Sequence, residues 1–228
     1  MNLPGEYPLS NIIQNTEGLG SVSSLVRTQV RSVLGRSAPN VRGTTAVAGV
    51  RASEAAQEEP GLSLISSSQL MKDGMEFMEQ GDYQASADLF GQAFDFSFSN
   101  QEETESAFYA GYSNLALGDA QEAVFWFDFI DPVDPSSDFY VPHLLSTAQA
   151  YFELSDLAKA LDYLDRLSAG TTERLTTTDQ QFERFFRGLI TLEQGDRPRA
   201  RTFLLEAVAI DTGSDIAVQA RQVADMIE

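Results

Sequence analysis

The sequence predicts an all-α protein of four helix hairpins in tandem, closed by a capping helix and preceded by a mostly irregular N-terminal segment. Three observations predict it. A turn recurs in one frame, as Gln80-Gly81-Asp82-Tyr83, Leu117-Gly118-Asp119-Ala120 and Gln194-Gly195-Asp196-Arg197, with Leu154-Ser155-Asp156-Leu157 carrying Ser for Gly. Seven residues before each turn stands a small residue (Gly74, Gly111, Ala148, Gly188), and five after it another (Ser86, Ala123, Ala160, Ala200). Four residues further comes a bulky one (Phe90, Phe127, Leu164, Leu204), and three beyond that Ala93, Ile130, Leu167 and Ala207. Steps of three and four keep these on one face of a helix.

The chemistry of the turn explains the frame. Glycine closes one helix because it enters the left-handed region without a Cβ clash. Aspartate then opens the next helix by accepting from a free backbone N–H at the positive end of the dipole. Small residues mark where two antiparallel helices cross closely. The frame predicts helices over about 68–80, 83–97, 101–117, 120–130, 141–154, 157–168, 179–194, 197–210 and 215–227. Gly170-Thr171-Thr172 and Thr176-Thr177-Thr178 form a longer loop before the fourth hairpin.

The chain is not uniform. Of 228 residues, 34 are acidic and 15 basic, a net charge of −19. Residues 1–66 hold five arginines and five glutamates, so residues 67–228 carry the whole excess. Tyr7 is the only aromatic before Phe77. Large aromatics dominate core burial, so the packed domain is 67–228, and the join lies within Ala55–Ser68. In the first segment Val22, Leu25, Val26, Val30, Val33 and Leu34 recur at helical steps with Arg27 and Arg31 between them. This reads as a short amphipathic helix near 22–34, although Val26, Thr28 and Val30 also alternate as a strand would. Docking of this segment in an acidic, apolar groove of the repeats, in cis or in trans as a swapped, self-associated dimer, is a further expectation.

The turn frame and the small-large pattern resemble the tetratricopeptide repeat, over units of about 68–98, 105–135, 142–168 and 179–211 with a cap helix at 215–227. Pro135 closes the second unit as the family usually does. Asp73 and Arg187 stand where the family usually has Leu, and Arg184 where a large apolar residue is usual. The resemblance implies a right-handed superhelical solenoid whose concave surface is lined by the first helix of each pair and holds a peptide, a helix or another protein. Projected onto this chain, the implied lining is Met71, Met75 and Met78; Phe108, Tyr112 and Leu115; Leu145, Gln149 and Phe152; and Phe182, Phe185, Leu189 and Leu192. Ser68, Glu105 and Pro142 complete the positions. Met71, Met75 and Phe108 stand where some members carry a Lys, Asn and Arg clamp for acidic chaperone tails, which argues against such a ligand. An apolar groove in an acidic surround suits an amphipathic helix or an apolar segment flanked by Lys and Arg.

Other classes are disfavoured. The charge opposes nucleic acid and anionic membranes, and no apolar run is long enough for membrane insertion. Cysteine is absent and His143 is the only histidine, which removes disulfides, thiolate chemistry and His-rich metal sites. Asp128, Asp131, Asp134 and Asp138 crowd one connection, but their spacing lacks the glycine and terminal glutamate of a calcium loop. No phosphate-cradling loop or nucleophile elbow is present. The expectation is therefore a non-enzymatic scaffold with no cofactor and no metal. One alternative is a structural or self-assembling protein that stacks through its apolar faces. Another is an accessory domain of a larger bacterial envelope protein. That last reading follows from residues 44–54, which are similar to the Val-Arg-Gly-Thr-Glu stretch of FecR-type extracytoplasmic domains, with Ala52 and Ser53 in place of Gly and Thr. It implies a periplasmic or extracytoplasmic location.

Overall fold

Every recurring turn forms as its residues require. The structure, a computed structural model, describes residues 66–170 and 175–227. Gly81, Gly118 and Gly195 take φ values of 78°, 83° and 86°, and Ser155 follows them into the left-handed region at 65°. Asp82, Asp119 and Asp196 then cap the next helix, accepting from the backbone N–H of Ala85, Glu122 and Arg199. Asp156 does the same for Lys159. The four turns thus share one hydrogen-bonding scheme although one lacks glycine.

These turns join α1 (Ser67–Glu79) to α2 (Tyr83–Asp95), α3 (Asn100–Leu117) to α4 (Ala120–Ile130), α5 (Tyr140–Glu153) to α6 (Leu157–Gly170), and α7 (Thr177–Glu193) to α8 (Arg197–Ile210); α9 (Asp215–Met226) follows. All regular structure among the described residues is helical. The ends differ from the sequence expectation by a residue or two. One such change is at α7, which starts at Thr177 within the expected threonine loop. There Thr176 accepts from the Asp179 N–H while the Asp179 carboxylate accepts from the Thr176 N–H, a reciprocal capping box. The expected helix near 22–34, the remainder of the N-terminal segment and residues 44–54 lie outside the described residues.

Small residues sit where hairpin helices cross. A Cβ on Gly74 would lie 2.8 Å from the Phe90 ring, one on Gly111 2.6 Å from Phe127, and one on Gly188 2.8 Å from Leu204. First helices also touch the next first helix, from α1 through α3, α5 and α7 to α9, while each second helix packs on the first helix of the following hairpin. One continuous core results. Its fully buried side chains include Phe90, Phe108, Phe127, Leu164 and Leu204. A buried Ser86–Ser113 hydroxyl pair at 3.0 Å ties α2 to α3. Gln181 in α7 donates to the Ala207 and Asp211 carbonyls and accepts from the Ser214 hydroxyl, and so seats the end of α8 and the start of the cap helix.

The polar departures from the repeat pattern have partners. Arg187 reaches from α7 to Asp165 on α6 at 2.8 Å and also pairs with Glu183. Arg184 lies 3.4 Å from Glu206 on α8. Charge at these positions pins neighbouring helices instead of filling a core.

Candidate functional site

The expected groove lining divides sharply by burial. Met78, Phe108, Tyr112, Leu115, Gln149, Phe152, Phe182, Phe185 and Leu189 are buried, with Phe108, Phe152 and Leu189 wholly so. These nine pack within the helix array. Met71, Met75, Leu145 and Leu192 are half-buried, each packed against the core on one side and open on the other. The first helices of units one, three and four therefore place four apolar side chains at a surface, with Met71 and Leu145 at equivalent repeat positions.

The second unit closes because of the connection after it. Asp131–Phe139 carries two buried apolar residues, Val133 and Phe139. Phe139 sits 5.2 Å from the Phe108 ring and edge-on to Tyr109 at 5.8 Å. Phe108 also faces Phe127 at 6.1 Å and Tyr112 at 6.3 Å. Aromatic pairs at such distances add to simple area burial. Burial, aided by the nearby Glu105 carboxylate, pushes the Tyr109 phenol up to about 12. In the fourth unit, Phe186 contacts Phe152, Phe182 and Phe185 at about 6 Å and locks that end in the same way.

The acidic connection is a structural junction. Asp131 accepts two bonds from the Arg166 guanidinium, at 2.6 and 3.0 Å, and one from the Tyr163 hydroxyl at 3.1 Å. His143 is wholly buried between Phe127 and Tyr163, with Nε2 3.6 Å from Asp131. The His143 imidazole and the Arg166 guanidinium hold the Asp131 carboxyl far below the usual carboxylate range. The bidentate Arg166 contact is the firmer of the two, since 3.6 Å exceeds a hydrogen bond. Asp128 accepts from Tyr151, and Asp134 accepts from the Ser136 amide and hydroxyl. Asp128, Asp131 and Asp134 are thus committed to separate protein donors. Among the described residues no group of three acids or histidines is placed to hold a metal ion.

This junction gives a pH-dependent prediction. Unfolded Asp131 takes up a proton near pH 4, whereas the folded residue does so only at much lower pH. Its contribution is therefore fully present above about pH 5, begins to be lost near pH 4 and is gone only at the much lower pH where the folded carboxylate protonates. Asp131→Asn should cost about 1–2 kcal/mol at pH 7, less than a sealed ion pair because both side chains keep water contact. Its urea midpoint should also fall less steeply than that of the parent between pH 5 and pH 3. Parallel slopes would contradict the assignment.

Charge is unevenly spread along the repeats. Residues 67–158 carry seventeen Asp and Glu against a single basic residue, Lys72. The half-buried methionines of α1 lie in this acid-rich half. No helix among the described residues is long and apolar enough to cross a membrane.

Sequence reasoning missed a second apolar surface. Phe94 on α2 meets Trp126 and Phe129 on α4 edge-on, at 5.4 and 4.8 Å, and Phe125 meets Trp126 at 5.4 Å. Phe125 and Phe129 remain 58% and 56% exposed. The available signal was the pair at i and i+4 on α4, offset from the small-large packing face of the repeat.

A tandem array of antiparallel hairpins with small-large crossings defines a helical-repeat protein. Residues 72–134, spanning the first two hairpins, match the tetratricopeptide repeat family. A thermophilic TPR protein of Thermus thermophilus has a similar structure, with a TM-score of 0.53 at 19% identity, covering 71% of this chain and 81% of that one. At that identity the likeness is one of fold. Comparison with curated protein sequences gives no match. Residues 72–134 thus carry the tetratricopeptide repeat, and the later hairpins continue the same fold. The comparisons lend no support to the FecR-type similarity of residues 44–54.

Proposed function

We propose that this chain is a non-enzymatic interaction scaffold that holds a protein or peptide segment against the face of its first helices. The contact residues are Met71, Met75, Leu145 and Leu192, with Glu105 and the other acids of α1 and α3 around them. The observation that carries this reading is the half-open state of these four side chains on a framework whose other nine lining residues are buried. The carboxylate excess of residues 67–158 makes an apolar segment flanked by Lys or Arg the best-matched ligand. Flexible methionines at the contact suit more than one such segment.

The test is affinity capture by the full chain, compared with Met75→Glu and Leu145→Glu. Both side chains touch solvent, so the variants should keep the parent's circular dichroism. Capture of a specific protein should fall roughly tenfold or more, the order expected when a contact residue is lost. Unchanged capture by both variants would place the contact elsewhere. Phe108→Glu is unsuitable, because a charge forced into a wholly buried site unfolds the domain.

A further inference from the structure

We infer that the N-terminal segment centred on Val22–Leu34 docks on the aromatic face that α2 and α4 build from Phe94, Phe125, Trp126 and Phe129. This face is separate from the first-helix residues of the proposed scaffold site.

The face is preorganised. Its four rings interlock edge-on at 4.8–5.4 Å, so little side-chain freedom remains to be lost on contact. More than half of Phe125 and of Phe129 is nonetheless in water. An open aromatic cluster of this kind usually marks a contact surface. The two helices that build it carry charge of one sign only. Asp88 and Asp95 on α2 and Glu122 on α4 are exposed, and α2, α3 and α4 contain no Lys or Arg.

The occupant follows from charge and tether. Between Glu17 and Glu54 the chain has no acidic residue but carries all five arginines of the first 66 residues. Within that stretch Val22, Leu25, Val26, Val30 and Leu34 recur at helical steps beside Arg27 and Arg31. Apolar and cationic groups thus match an aromatic face with an acidic rim. The hairpin sets the route. Because α1 and α2 are antiparallel, the start of α1 at Ser67 lies at the same end as the last turn of α2, where Phe94 sits. Residues 35–65 amount to roughly 100 Å of chain at full extension, ample to bring the segment to this face, and the covalent tether makes the encounter intramolecular. A second copy of the chain is the weaker candidate, since each copy brings a charge of −19.

Trp126 is the only tryptophan, so its fluorescence reports this face directly. In the full chain, Val26→Asp with Val30→Asp should shift Trp126 emission to the red and raise its quenching by acrylamide, with circular dichroism of the repeats unchanged. Reciprocally, Phe125→Asp with Phe129→Asp should speed trypsin cleavage after Arg27 and Arg31. Unchanged emission and quenching in the first variant would overturn the inference. So would a Trp126 signal that depends on protein concentration, which would assign the face to a second copy. Met75→Glu should leave the Trp126 signal in place, so failure of the scaffold reading and failure of this one are distinguishable.

Discussion

Phe127→Ala is expected to remove about 3–5 kcal/mol of folding stability, the range for emptying a buried phenylalanine site. The ring is wholly buried and stands against Gly111, Phe108 and His143 at once. It therefore joins α4 to α3 within one hairpin and to α5 of the next. The surroundings are rigid rings, which collapse poorly into a void. Chemical denaturation followed by far-ultraviolet circular dichroism reads the loss. A cost below about 1 kcal/mol would mean that the second hairpin repacks freely, against the close-packed junction described here.

Gly111→Ala and Gly91→Ala should act in opposite directions although the chemical change is the same. Both glycines lie within helices, where alanine is intrinsically better by about 1 kcal/mol. At Gly111 the new methyl would fall 2.6 Å from the Phe127 ring, which is boxed in and has nowhere to move. Overpacking of this kind costs about 1–3 kcal/mol beyond the gain in propensity. At Gly91 the nearest atom, Cζ2 of Trp126, is 3.7 Å away, an ordinary contact, and a gain of about 0.5–1 kcal/mol is expected. Denaturation midpoints of the two variants should therefore move apart. If both rise, the close crossing at Gly111 carries no steric demand.

The architecture was legible because its signals are local. Gly118 and Asp119 specify a helix end and a helix start through the backbone of a few residues. The pairing of Gly111 with Phe127 lies within a single hairpin, so spacing alone predicts the contact. The polar departures were legible only as departures. That Arg187 would reach Asp165 depends on how α7 sits on α6, which spacing does not encode. The candidate site was legible in part. Four of the expected lining residues reach a surface, while the aromatic face on α2 and α4 was not foreseen.

By itself, then, the sequence determined where helices begin, end and cross. Those outcomes depend on φ preferences, capping chemistry and side-chain volume within about one repeat. Only the tertiary structure decided which apolar faces stay open. Phe108 is sealed because Phe139 folds back from the following connection, and Phe129 stays half in water although it touches Phe94 of the preceding hairpin. Burial of a side chain is set by neighbours remote in the chain, and periodicity reports the face a residue occupies but not whether another element arrives to cover it.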